Sequence, residues 1–418
     1  MSKKFIHFGC WNQGLCDKGN KKNPISRVMN QLDQTLKSSQ PKFDFIVVAG
    51  DNYYPDKPKK EKDTKESKKE KDTKESKKEK VKGDKIKIIN NQNLSSGFDC
   101  LPKNIEINII LGNHDLETTN VNDKLYLENT DNPEKGDCAI IQREMALVAS
   151  QRMDNMSLDL YKYKWLGENT LVLMIDTSMY DFRDSAFFIP CYNQLNGKQN
   201  TIDSLHAEQI EFVQRTIEAN IARIKNLIII GHHPITGYKN KNGIILIPSF
   251  PKFIDLLWSV HIQLIDLNVN YYYLCADLHA YQLGTISIKA KAHPHETDVV
   301  NREMKIKQYI VGTGGTELDA SPFFTGNPLP DKEKNAYALA DVDFTVNYAM
   351  TPHEIDLSAS EKFGFLACEL VKDKMKFKFI DTHGIVYNEK TNMSKKNTRS
   401  KKSTNKTKSR KLMKNYSI

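Results

Sequence analysis

Four apolar runs in this chain break off in the same way, and that repetition limits the fold more than any other feature. Phe43-Asp44-Phe45-Ile46-Val47-Val48-Ala49 stops at Gly50 and delivers Asp51, Asn52, Tyr53 and Tyr54. Ile107 to Leu111 stops at Gly112 and delivers Asn113, His114 and Asp115, and Leu227 to Ile230 stops at Gly231 and delivers His232, His233 and Pro234. Tyr271 to Ala276 ends on Asp277, Leu278 and His279. Short runs rich in β-branched and aromatic residues fit strands covered on both faces, and open sheets carry their sites just beyond the C-terminal ends of such strands. The four ends are therefore expected to meet along one edge and to gather oxygen and nitrogen donors there. A glycine one residue before the first polar group suits close backbone approach and unusual φ/ψ at a crowded site.

The stretches between these runs supply the rest of an α/β rhythm. Lys4 to Gly9 reads as a first strand feeding the loop Cys10 to Gly14, and Pro24 opens a helix with Ile25, Val28, Met29, Leu32 and Leu36 at helical spacing. This unit predicts parallel strand pairs. His7 lies three residues before Cys10, so strand alternation turns it to the other face, as a core or surface residue. Asp115 to Asp159 reads as irregular and polar, whereas Tyr161 to Trp165 and Leu171 to Asp176 read as strands of a second sheet. Leu205 to Ile224 predicts an amphipathic helix with Ile210, Val213, Ile217 and Ile221 on one stripe, and Phe250 to Ile265 predicts another. From Tyr281 onward the pattern changes to short strands that read as antiparallel hairpins, at Leu283 to Ile288, Gln308 to Gly312, Phe363 to Val371 and Met375 to Ile380. The expected fold class is α/β, with two packed mixed β-sheets flanked by helices.

The chain has 418 residues and is 39% hydrophobic, enough for a full core. No stretch approaches the ~20 uninterrupted apolar residues of a membrane helix, and Met1-Ser2-Lys3-Lys4 leads into a strand with no signal-peptide h-region. The expectation is an intracellular chain, cytoplasmic or else nuclear or virion-associated. The seven cysteines (Cys10, Cys16, Cys100, Cys138, Cys191, Cys275, Cys368) are odd in number, scattered and without a CxxC pair, which predicts mostly reduced, buried thiols.

Charge divides the chain into parts. Residues 390–418 carry eleven Lys or Arg and no acid, and residues 59–80, built on the repeated unit KKEKDTKES, carry eleven Lys against seven Asp or Glu. Taking +11 for the tail and +4 for the repeat from the net +9 leaves about −6 for the remainder. That balance argues against a nucleic-acid footprint on the fold itself. The expected organisation is one domain over 1–58 and 81–388, a disordered lysine-rich insertion at 59–80, and a disordered basic tail at 389–418. The tail is the place for nucleic acid or another anionic partner.

Gly50-Asp51-Asn52-Tyr53-Tyr54, Gly112-Asn113-His114-Asp115, Gly231-His232-His233-Pro234 and Asp277-x-His279 together resemble the ordered motifs of calcineurin-like metallophosphoesterases. The resemblance is greatest to the purple acid phosphatases, which have a tyrosine three residues after the bridging aspartate, where Tyr54 stands. Similar text recurs at Met174-Ile175-Asp176-Thr177 and Val311-Gly312-Thr313-Gly314-Gly315. The resemblance implies a four-layer αββα sandwich and a centre of two metal ions (Fe, Zn or Mn) for in-line attack on phosphorus. It implies that Asp51 bridges both ions, that Tyr54 and His279 bind the first, and that Asn113 and His232 bind the second. His114 matches the family's general acid. The implied activity is hydrolysis of a phosphate monoester or phosphoprotein by metal-bound hydroxide.

Two positions depart from the family pattern. Cys10 stands where the family has its first aspartate, and Asp277 stands where it has the first histidine of the last motif. Both are candidate metal ligands: a carboxylate is an ordinary ligand for Zn²⁺, Mn²⁺ or Fe, and a thiolate is a soft ligand best suited to zinc. A neutral Cys10 thiol leaves the first site short of charge. Two other readings follow: a degenerate member serving as an interaction module, and a nuclease or phosphodiesterase that uses the basic tail.

Overall fold

β1 (Lys3–Phe8), α1 (Pro24–Ser38) and β2 (Phe45–Ala49) form a strand-helix-strand unit whose two strands pair in parallel, Phe5 beside Phe45 and Phe8 beside Val48. The computed structural model describes residues 2–54, 91–116, 138–150, 155–181, 185–240, 244–247, 249–290, 303–319, 336–338, 344–350 and 362–388. α1 starts where the sequence says it must. Asn23 accepts a hydrogen bond from the Ile25 amide, Pro24 occupies the first turn, and Ile25, Val28, Met29 and Leu32 are buried along one stripe. The lysine-rich insertion at 59–80, the basic tail and the loop Thr118 to Asp137 lie outside the described residues.

The chain continues through α2 (Asn91–Cys100), β3 (Glu106–Ile110), α3 (Ala139–Ala149), β4 (Met156–Leu158), β5 (Tyr161–Leu166), β6 (Thr170–Ile175), α4 (Ser185–Asn196), α5 (Ile202–Glu218) and β7 (Asn226–Ile230). A small hairpin, β8 (Gly237–Asn240) and β9 (Ile244–Ile247), precedes α6 (Pro251–Leu264), β10 (Asn270–Cys275), β11 (Tyr281–Ala290) and β12 (Glu303–Val311). The last strands are β13 (Ala336–Ala338), β14 (Phe344–Met350), β15 (Gly364–Val371), β16 (Lys374–Asp381) and β17 (Val386–Asn388).

Two mixed sheets result. The first has order β17-β16-β15-β1-β2-β3-β4, and the second β13-β14-β11-β12-β10-β7-β6-β5. In each, a parallel half built from the early motifs continues into antiparallel hairpins. β1 to β4 are parallel, as are β6, β7, β10 and β12, while β15 joins β1 and β11 joins β12 in antiparallel register. Three buried clusters separate four layers. Phe5, Phe45, Val47, Val172, Ile228, Leu274, Tyr309 and Phe379 pack between the sheets. Ile6, Val48, Ile107, Val28 and Phe98 join the first sheet to α1 and α2, and Leu171, Leu227, Tyr273, Val213 and Phe253 join the second to α5 and α6. The architecture is an αββα sandwich, and every parallel strand ends at the same rim.

Several expectations need correction. Asp115 to Asp159 is not simply irregular, because α3 lies within it, and α2 and α4 were not foreseen. α5 ends at Glu218, and its core stripe is Leu205, Gln209, Val213 and Ile217, with Ile210 half-buried and Ile221 38% exposed in a separate 3-10 turn. His7, by contrast, is the core residue that was one of its two expected readings: it is buried and bonds through Nε2 to the Cys275 carbonyl at 3.2 Å, and burial lowers its pKa to about 4.

The cysteine expectation is also overturned. Cys16 is bridged to Cys100 with Cα atoms 6.4 Å apart, and Cys138 to Cys191 at 5.3 Å; Cys10, Cys275 and Cys368 remain as buried thiols. Pairs separated by 84 and 53 residues carry no sequence signal, since only the folded chain brings them together. Disulfides form and persist under oxidising conditions, unlike the reduced intracellular state expected from the sequence. Alkylation of the denatured chain before reduction is expected to mark three thiols by intact mass, and seven after reduction. Seven adducts without reductant would show that the bridges do not form.

Candidate metal centre

The rim collects side chains from the ends of β1, β2, β3, β7 and β10. Asp51, just past β2, is at its centre, and its two carboxylate oxygens face different partners. Oδ2 accepts from the Tyr54 hydroxyl at 2.5 Å and lies 3.7 Å from the Cys10 sulfur. Oδ1 lies 3.2 Å from Nε2 of His232 and accepts from the His114 amide at 3.1 Å. The Tyr54 hydroxyl also meets Nε2 of His279 at 2.9 Å, the Asn113 Oδ1 atom lies 3.2 Å from Nε2 of His232, and Asp277 Oδ1 lies 4.0 Å from it. All seven candidate ligands read from the sequence therefore share one cluster, and His114 leans over it with its ring 4.7 Å from that of Tyr54.

Two histidines are held in a way that presents a defined nitrogen. His232 Nδ1 meets the Ala49 carbonyl at 2.8 Å, and His279 Nδ1 meets the Glu317 carbonyl at 2.8 Å. A carbonyl accepts only from an N–H, so in the neutral tautomer each Nε2 carries the lone pair that faces the cluster. Asp319 accepts from the His279 amide at 3.0 Å and pairs with Lys239 at 3.4 Å. Thr177 fixes the other histidine loop, its hydroxyl accepting from the His232 and His233 amides at 3.0 and 2.9 Å.

The backbone at the rim is as unusual as the side chains. Cys10, Asp51 and Asp277 all have positive φ, at 52°, 52° and 50°, which costs a non-glycine residue about 1 kcal/mol or more and clusters at functional sites. Hydrogen bonds hold it: the Cys10 amide donates to the Gly50 carbonyl at 3.1 Å, and the Thr316 amide donates to the Cys10 carbonyl at 3.2 Å. Gly50 has φ 75°, and a Cβ there would sit 2.6 Å from the Gly112 nitrogen and from His232 Nδ1. A Cβ on Gly112 would collide with the Asp51 amide and carboxylate. Both glycines are required by close approach.

Electrostatics follow from burial and crowding. Burial opposes ionisation of Asp51, but His232 and His114, with hydrogen bonds from His232 and Tyr54, bring it below the usual carboxylate range. Burial would lower His232, yet the Asp51 charge outweighs it and raises the imidazole to about 9. Burial, reinforced by the Asp51 charge, pushes the Cys10 thiol and the Tyr54 phenol well up, so both are neutral. Cys10, Asp51, Tyr54 and His232 are buried, whereas Asn113, His114, Asp277 and His279 are half-buried and form the open side.

Three further residues carry no sequence signal of their role. Asp115 is fully buried and accepts from the Asn52 amide at 2.6 Å, the Gly112 amide at 2.8 Å and the Asn52 side chain at 2.9 Å, locking the second and third strand ends together. Burial and the Asp51 charge raise its pKa to about 7. Glu144 of α3 is buried behind it, and burial together with Asp115 keeps its carboxyl neutral. His233 offers a nitrogen within 4.8 Å of donors on His232 and Asp277, although its Nδ1 meets the Thr177 hydroxyl at 3.2 Å.

The donor set fits cations. Cys10, Asp51 and His232 offer atoms within 4.8 Å of one another, as do His232, His233 and Asp277. Neighbouring ligands ~2.1–2.3 Å from one ion lie roughly 3–3.7 Å apart, the spacing of His232 Nε2 from Asp51 Oδ1 at 3.2 Å and of the Cys10 sulfur from Asp51 Oδ2 at 3.7 Å, whereas the Tyr54 hydroxyl is hydrogen-bonded to Oδ2 at 2.5 Å. Fold and site thus define a class: an αββα sandwich with carboxylate, imidazole, amide, phenol and thiol donors converging at the C-terminal rim of its parallel strands.

No protein-family model and no curated protein matches the chain. Among solved structures it is similar to the purple acid phosphatase PPD1 of yellow lupin (Lupinus luteus), with 14% identity and a TM-score of 0.45 over 93% of this chain and 53% of that one. It is also similar to GAP50, the anchor in the inner membrane complex of Plasmodium (12%, TM-score 0.42, 93% and 88%), and to PhoD (12%, TM-score 0.40, 93% and 68%). This chain spans about half of the length of the lupin protein. Among the described residues, no helix is long and apolar enough to cross a membrane.

Proposed function

We propose that the chain is a metal-dependent phosphoesterase that hydrolyses a phosphate monoester or a phosphoprotein. The observation that carries this reading is the pair of histidines, His232 and His279, each tied by Nδ1 to a backbone carbonyl and each turning Nε2 toward a different oxygen of the Asp51 neighbourhood. Such anchoring is characteristic of metal-ligating imidazoles. In this proposal Asp51, Tyr54, His279 and Cys10 would hold one cation, and Asp51, Asn113, His232 and Asp277 would hold the other. Bound there, the ions supply Lewis acidity and a water-derived nucleophile at neutral pH.

The chain's own groups have separate tasks. His114, on the open side with its amide fixed to Asp51, hydrogen-bonds a phosphoryl oxygen and delivers a proton to the leaving group. Asp115 keeps the loop carrying Asn113 and His114 in register with Asp51.

A second reading, a catalytically weak scaffold that keeps this fold for interaction, is favoured by one observation: Cys10 is fully buried and neutral where the phosphatase motif has an aspartate. The two are separated by elemental analysis of the purified chain together with aryl-phosphate turnover in added Zn²⁺, Mn²⁺ or Fe²⁺. The expected result is metal-dependent turnover with one firmly held ion per chain and a second that is only partly retained. Loss of the weaker ion in Cys10→Ser would identify the thiol as its ligand. No metal and no turnover under any condition would remove the enzymatic reading, and two firmly held ions would contradict the weakened first site.

A further inference from the structure

We propose that the chain has a second ligand site, separate from the metal cluster, for a small sugar or polyol carrying a phosphate or sulfate ester. The site is a cavity of about 500 Å³ on the outer flank of the first sheet, within the size range of small-ligand pockets. Arg27, Asn30, Gln31 and Gln34 line it from one stripe of α1, spaced i, i+3, i+4 and i+7. Lys18 and Lys21 close it from the preceding loop, and Thr382 and His383 from the turn between β16 and β17.

Its charge is one-sided. Among the described residues, no Asp or Glu lines the cavity. Lys18 is neutralised from outside by Asp33 at 2.5 Å, which leaves Lys21 and Arg27 as the cations without an acidic partner among the described residues. Arg27 is the more informative of the two. Its guanidinium lies over the Phe363 ring at 5.5 Å, and its Nε is buried with no hydrogen-bond partner. A buried N–H without a partner is costly, and the planar fork of this half-buried guanidinium is suited to an oxyanion.

The remaining lining groups narrow the ligand. Asn30, Gln31, Gln34 and the Thr382 hydroxyl offer both donors and acceptors, the complement of several hydroxyl groups. Asn30 already uses its amide N–H on the Lys18 carbonyl at 2.6 Å, so its carbonyl oxygen is turned to other partners, and Gln34 makes no hydrogen bond among the described residues. Among the described residues the lining is made of hydrogen-bonding side chains with no Phe, Tyr or Trp, and His383 is its one aromatic ring, a lining better matched to the hydroxyl groups of a polyol than to a stacked nucleobase. The chemistry does not separate a phosphate from a sulfate ester, since both present a tetrahedral oxyanion.

The test is calorimetric titration of the full-length, metal-loaded chain with the non-hydrolysable phosphonate isostere of glucose 6-phosphate, glucose 6-sulfate and glucose. The expected result is binding of one of the two anionic sugars and not of glucose, and the one preferred identifies the source. Arg27→Met, which keeps the packing on Phe363, and Lys21→Gln, at an exposed position, should each weaken binding roughly tenfold while aryl-phosphate turnover is unchanged. Asp51→Asn should leave this binding intact. Equal affinity in wild type and both variants, loss of binding in Asp51→Asn, or binding of neither anionic sugar would overturn the proposal.

Discussion

Asp51→Asn is expected to lower turnover of an aryl phosphate by about a thousandfold or more, roughly 4 kcal/mol of transition-state stabilisation. Asp51 is the one side chain whose two oxygens address both halves of the cluster: Oδ2 the Tyr54 and Cys10 side, Oδ1 the His232 side. Asparagine is nearly isosteric but removes a negative charge and puts an N–H₂ donor in place of one acceptor. That donor would face either the Tyr54 hydroxyl or His232, so the variant loses metal charge balance without a large change in shape. The measurement is kcat alongside metal content of the same sample. Turnover equal to wild type would mean that a contaminating phosphatase did the chemistry.

Asp115→Ala is expected to destabilise the fold by roughly 3–5 kcal/mol, lowering the melting temperature by about 5–10 °C. The carboxylate satisfies two backbone amides and the Asn52 side chain, all buried, and Asn52 in turn holds Trp11 through its indole N–H at 3.2 Å and the Ile110 carbonyl at 3.1 Å. Removing it leaves donors that no water can reach, and frees the turn that carries Asn113 and His114. Denaturant unfolding of the variant checks this, and a loss below about 1 kcal/mol would show that the loops are held by something else.

How far each feature could be read in advance depends on its range along the chain. The strand ends at Gly50, Gly112 and Gly231 were legible because an apolar run, a glycine and a polar group are neighbours in sequence. α1 was legible for the same reason, with Asn23 and Pro24 marking its start. α4 was not, because Pro190 stands inside it and breaks the expected pattern. α5 was placed with most of its stripe: Val213 and Ile217 are buried and Ile210 packs against the same core, but Leu205 and Gln209 complete the buried face and Ile221 lies beyond the helix. The Gln209 amide is buried to donate to the Asp176 carbonyl at 3.0 Å, which no hydrophobic stripe could foretell.

By itself, then, the amino-acid order determined that several strands end in donor groups, that these groups are of the hard and imidazole type, and that the chain alternates strand and helix before turning to hairpins. Tertiary structure alone decided which donors face which. The split roles of the Asp51 oxygens, the carbonyl anchors of His232 and His279, the burial that keeps Cys10 neutral, the two disulfides and the seat of Arg27 over Phe363 all arise between segments distant along the chain. Local propensity acts over a few residues, whereas desolvation, charge coupling and close backbone approach depend on neighbours that only folding supplies.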